Sequence, residues 1–116
     1  MKTSRAIAGL PPSVRRAIEK LGHDIRTARR RRRLPMTMMA QRAFIGRNTV
    51  ARVERGDPGV SMGIYATALF VLGMADRVAE LAAPASDRVG LSLEEDRLPQ
   101  RVRSSRRGPG GGRGGA

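Results

Sequence analysis

The chain has 116 residues, room for one small domain with tails, and its 23 basic against 10 acidic side chains give a net charge of +13. It has no cysteine and a single histidine, His23, which excludes disulfides and leaves no residue set for a cysteine- or histidine-ligated metal; no cofactor is expected. No apolar run approaches the about 20 residues of a membrane span, and residues 1–14 lack the apolar stretch of a signal peptide, so a cytoplasmic location is expected.

The charge is unevenly spread. Residues 1–33 carry eleven basic and two acidic groups, residues 34–83 five and four, residues 84–96 one and four, and residues 97–116 six and none. Positive segments thus flank a nearly neutral centre. A polyanion is the natural partner, because each phosphate that is neutralised releases condensed counterions.

Residues 1–10 read as a flexible arm. Pro11-Pro12 can open a helix, since a proline in the first turn has no amide hydrogen to leave unpaired. Val14, Ile18, Leu21, Ile25 and Ala28 then recur at helical spacing on one face. The helix runs into Arg29, Arg30, Arg31, Arg32 and Arg33. Cations suit the negative end of the helix dipole, but five in a row repel one another, and a nearby polyanion would relieve that cost. His23 sits beside the apolar face and reads as a packing residue.

Leu34-Pro35 breaks the first helix, because proline disfavours helical backbone at the residue before it. A second helix is predicted over Met36–Ala43, with Met39, Ala40 and Ala43 inward. After Phe44-Ile45-Gly46 a third covers Arg47 to Arg55, with Val50 and Val53 inward and Gly56 at its end. Asp57-Pro58-Gly59 is a turn. Ser61 is a plausible N-cap for a fourth helix with an apolar stripe of Met62, Tyr65, Leu69 and Leu72 that ends at Gly73. Asp76 is placed to cap a fifth, with Val78, Leu81 and Ala82 on the core and Pro84 as its stop. Val89–Leu93 alternates weakly, like a strand. The Arg, Gly, Pro and Ser of residues 104–116 cannot bury a core.

The expected architecture is therefore all-α. A compact domain of five helices spans residues 11–83, an extension that could meet a partner or a second copy spans 84–103, and a disordered basic tail closes the chain.

The second and third helices, joined by a short break, have the arrangement of a helix-turn-helix, whose second helix lies in the major groove with its first residues at base edges. Those residues are Arg47, Asn48 and Thr49, with Arg52 one turn on. The side-chain types fit: arginine can fork to guanine, asparagine can pair with adenine, and threonine can touch a thymine methyl or a phosphate. Arg29 to Arg33, Arg42 and Arg55 are candidate phosphate contacts. The bland reading of each group is a solvated polar face.

The stretch NTVARVERGDPGVSMGIYATALFVLG, residues 48–73, resembles the lambda-repressor-like (Cro/cI, or XRE-type) helix-turn-helix family. The resemblance covers about residues 20–74 and implies scaffold roles for Val50, Val53, Glu54 and Gly56. The wider frame, with LEEDRLPQRVR near the C-terminus, is similar to HipB-like antitoxins of toxin–antitoxin pairs. This implies a homodimer that binds a palindromic double-stranded DNA operator, represses its own operon and holds a HipA-type kinase toxin. Four positions depart from the pattern. Pro35-Met36 replaces the Ser-Gln that often opens the second helix, Phe44 replaces the turn glycine, and Gly46 replaces the serine cap of the third helix. Phe44 is expected to plug the gap between helices.

Glu94, Glu95 and Asp96 form the acidic cluster, either solvated or a docking point for a basic toxin surface. Arg101 to Arg113 could track phosphate, bind RNA or simply solubilise. No catalytic triad, P-loop or metal-ligand spacing is present, so an enzyme is not expected. The alternatives left open are a free-standing XRE-type repressor, a non-specific nucleic-acid-binding module driven by the basic tails, and a pure protein-interaction adaptor.

Overall fold

The computed structural model describes residues 5–98, and every regular element among them is helical. The predicted disordered tail, residues 104–116, lies outside the described residues, as do residues 1–4 and 99–103. The chain divides after Ala79 into two units.

The first unit contains α1 (Arg5–Ala8), α2 (Pro12–Arg31), α3 (Met36–Ala43), α4 (Arg47–Glu54), α5 (Met62–Val71) and the single turn α6 (Asp76–Ala79). Pro12 opens α2, as its missing amide hydrogen permits. Ile25 and Ala28 of α2 are buried, Ile18 and Leu21 pack partly against the core, and Val14 is exposed. At the far end Arg33 takes a left-handed conformation, φ 52°. The chain folds back so that the Leu34 amide donates to the Arg29 carbonyl at 3.2 Å. This turn drops Leu34 into the core, and Pro35 starts the next segment in extended backbone.

Met39, Ala40 and Ala43 of α3, Val50 and Val53 of α4, Val60 of the following loop, and Tyr65, Ala68 and Leu72 of α5 complete the core. Packing joins α2 with α4, and α3 with both α4 and α5. The Ser61 hydroxyl caps α5, accepting from the Ile64 amide at 3.2 Å.

One helix crossing needs a specific pair of residues. Gly22 of α2 and Gly56, just past α4, lie against each other and are both buried. A Cβ on Gly22 would sit 2.5 Å from the Gly56 nitrogen, and one on Gly56 would sit 2.7 Å from the Ile18 carbonyl oxygen. Gly56 also has φ +71°, where a side chain is strained in any case. The two glycines set how closely α2 lies on the end of α4.

Several expectations are corrected. Residues 5–8 of the supposed arm form a helical turn. Met62 faces solvent, and Ala68 takes an inward place that the predicted stripe on α5 did not include. The fifth helix stops at Ala79, with Asp76 as its first helical residue, and Leu81 and Ala82 are exposed. Phe44 plugs nothing, for 94% of its surface is open.

The second unit holds a 3-10 turn over Pro84–Ser86 and α7 (Arg88–Arg97). The weak strand pattern at residues 89–93 is therefore helical. Asp87 explains why: its carboxylate accepts from the Gly90 amide at 2.9 Å and caps the helix start. None of the residues of α7 is buried.

Candidate nucleic-acid interface

The turn between α3 and α4 is set by backbone geometry. Phe44 is left-handed, φ 57° and ψ 42°, which lets its amide donate to Gln41 and the Ile45 amide donate to the Ala40 carbonyl at 3.0 Å. That reversal turns Ile45 toward the core. Gly46 then starts α4 in extended backbone and provides no capping side chain. The Thr49 and Val50 amides return to the Gly46 carbonyl, at 3.0 and 3.1 Å. The amides of Arg47 and Asn48, in the first turn, are left for a partner outside the helix. A Cβ at Gly46 would meet nothing within 4 Å, so this helix start is open to approach.

The rest of α4 is pinned. Val50 and Val53 are 2% and 1% exposed. Glu54 forms a two-pronged ion pair with Arg29 of α2, Nε to Oε2 at 2.6 Å and Nη2 to Oε1 at 3.1 Å. Nη1 of Arg29 donates to the Leu34 carbonyl at 2.8 Å. The two side chains are 10% and 7% exposed, so the pair is a buried clamp between α2 and α4. Arg29 is thereby withdrawn from the expected phosphate contacts: all three of its nitrogens are engaged inside the protein.

The other candidate phosphate contacts, Arg30, Arg31, Arg32, Arg33, Arg42 and Arg55, are exposed. Arg32 donates from Nη1 to the Ala28 carbonyl at 2.9 Å. Of the four candidate base readers, Arg47 and Asn48 are exposed and their side chains have no partner among the described residues, while Thr49 is half-buried. Arg52 differs from expectation, because its Nε donates to Asp57 at 2.8 Å and only the outer edge of its guanidinium remains. The hydrogen bond from Arg52, followed by that from the Gly59 amide, holds the Asp57 carboxyl below its ordinary pKa. Tyr65 donates to the Asp57 carbonyl at 2.8 Å, and burial pushes its hydroxyl up to about 12. The Asp57–Gly59 turn is thus fastened on both sides.

Sequence reasoning missed this clamp and the glycine crossing, though both left signals. Arg29 follows Ile25 by four positions and so falls on the buried face of α2, where a charge needs a partner. Gly22 is a helix-weakening residue inside an otherwise regular helix, which often marks close backbone approach.

Glu94, Glu95 and Asp96 lie on α7 and are exposed. Among the described residues no group of His, Cys, Asp and Glu could hold a metal ion, and no helix is long and apolar enough to cross a membrane. Comparison with protein-family models, with curated proteins and with solved structures finds no match to this chain.

Proposed function

We propose that this protein is a sequence-specific DNA-binding transcriptional regulator of the helix-turn-helix kind. The observation that carries this reading is the asymmetry of α4. Its second half is fixed by Val50, Val53 and the Arg29–Glu54 clamp, whereas its start offers Arg47 and Asn48 to solvent beside an uncapped helix end. A rigid helix that presents a forked cation and an amide is suited to base edges. The exposed arginines of residues 30–33, with Arg42 and Arg55, supply cations for phosphate.

A homodimer on a palindromic operator is part of the proposal. The ten residues of α5 include no charged side chain, and Met62, Ala66 and Phe70 line up at four-residue spacing with Met62 and Phe70 exposed. A helix that is apolar all round is ordinarily covered. The sequence resemblance extends the proposal to an autorepressing antitoxin that holds a HipA-type kinase toxin, with Glu94, Glu95 and Asp96 as its acidic contact. Co-purification of such a kinase with the full chain, lost when the three acids are neutralised, tests that extension.

The DNA reading is tested by selecting bound duplexes from a random pool with the full chain. A palindromic motif is expected. Arg47→Ala is then expected to lose about 1–3 kcal/mol of discrimination at one base pair of each half-site. An unchanged base preference in that variant would count against the reading, as would failure of the wild type to enrich any motif.

A further inference from the structure

Phe44 is placed at a double disadvantage. Its ring is 94% exposed, so the chain forgoes the gain from burying a large apolar side chain. Its backbone is left-handed at φ 57°, a conformation that is an outlier for a bulky residue and that glycine adopts without penalty. The turn itself does not need the ring. The bonds that close it come from the amides of Phe44 and Ile45, and Ile45 makes the core contact. A residue that costs the folded chain twice and returns nothing to its core is a candidate for contact outside it.

The surroundings of the ring choose the partner. Phe44 lies two residues before Gly46 and three before Arg47, so it borders the open start of α4. Arg42 and Arg47, on either side in sequence, are both exposed cations. An apolar ring between cations is unsuited to a second copy of a chain of net charge +13, which would bring its own arginines to the same place. It fits duplex DNA, where Arg42 meets phosphate, Arg47 meets a base edge and the ring meets the apolar group exposed in the major groove, the C5-methyl of thymine. We propose that Phe44 is a specificity-determining residue that lays its ring on a thymine methyl at the edge of the bases read by Arg47 and Asn48. This rests on the DNA-binding reading above and names a contact that the helix-turn-helix pattern alone does not supply.

The test exploits the strain. Phe44→Gly relaxes the left-handed turn and removes an exposed ring, so it is expected to melt at a higher temperature than the wild type. Any loss of binding then cannot come from misfolding. On the duplex selected by the wild-type full chain, Phe44→Gly is expected to bind about tenfold more weakly, the size of one disturbed base pair. Its salt dependence should be unchanged, because no phosphate contact is lost. Replacing thymine by deoxyuridine, one position at a time, should cost the wild type a similar factor at one thymine per half-site. Phe44→Gly should be indifferent to that replacement.

Equal affinity of the two proteins for the selected duplex overturns the proposal and leaves the DNA reading intact. So does a loss that no deoxyuridine reproduces, or loss of self-association in Phe44→Gly by sedimentation, which would assign the ring to a protein partner. Failure of the wild type to select any duplex overturns both.

Discussion

Gly22→Ala sets two physical effects against each other, and the structure decides between them. Gly22 lies inside the 20-residue helix α2, where alanine in place of glycine should stabilise by about 1 kcal/mol. Against this, the new methyl would stand 2.5 Å from the Gly56 nitrogen and 2.9 Å from its Cα, and close to the Val53 carbonyl oxygen. These are backbone atoms and cannot swing away. Restoring ordinary contact needs α2 to retreat from α4 by roughly 1 Å, given the about 3.5–4 Å optimum for non-bonded heavy atoms. That retreat would loosen the core that Ile25 and Val53 share, each 1% exposed, and stretch the 2.6 Å Arg29–Glu54 bond. Overpacking of this kind costs typically about 1–3 kcal/mol, occasionally more, and the weakened clamp adds to it. The expected net is a loss of about 2 kcal/mol, which in a domain of this size lowers Tm by roughly 8–16 °C. Thermal unfolding followed by circular dichroism measures it. Gly63→Ala is the control, since its methyl would meet only the Ser61 hydroxyl at 3.8 Å, and it should raise Tm slightly. A Gly22→Ala protein as stable as the wild type would refute the claim that this crossing sets the packing of α2 on α4.

Two further predictions concern buried polar groups. Glu54→Gln should cost about 3–5 kcal/mol by leaving the Arg29 charge buried without its counter-ion, whereas Arg29→Met with Glu54→Leu should come much closer to neutral. Urea unfolding of the three proteins compares them, and a cost below about 1 kcal/mol for Glu54→Gln would show the clamp to be dispensable. Tyr65 is the sole tyrosine, so absorbance near the phenolate band titrates it alone. Its pKa is raised to about 12, which means the folded state favours the neutral hydroxyl. The stability this represents is whole below the ordinary tyrosine value near about 10 and is lost as pH rises through the folded value. Tyr65→Phe should abolish that part of the alkaline loss, and a titration midpoint near 10 in the folded protein would contradict the assignment.

The order and kind of α2 through α6 were legible in the sequence because local rules decide them. Pro12, Pro35, Gly46 and Ser61 mark helix starts through their own backbone and capping chemistry. Ile25, Ala28, Val50 and Val53 mark inward faces through spacing. Arg47 and Asn48 could be picked out as exposed residues at a helix start for the same reason. Local rules failed where two patterns competed over few residues. The alternation at residues 89–93 is only a weak strand-like signal in a chain read as all-α, and the Asp87 cap nucleates α7 there.

The sequence by itself determined where most helices of the first unit begin and end, which of their faces are apolar, and which segments carry the positive charge. Only the tertiary structure decided which charges are free to act. Arg29 stands in a run of five arginines that look alike along the chain, yet packing of α2 on α4 buries it against Glu54, 25 positions away, and leaves its neighbours in solvent. Phe44 looks like a core residue by composition, yet the left-handed turn that sends Ile45 inward leaves the ring in water. The physical reason is common to both: spacing fixes the direction of a side chain relative to its own helix, but its surroundings depend on what packs against that helix.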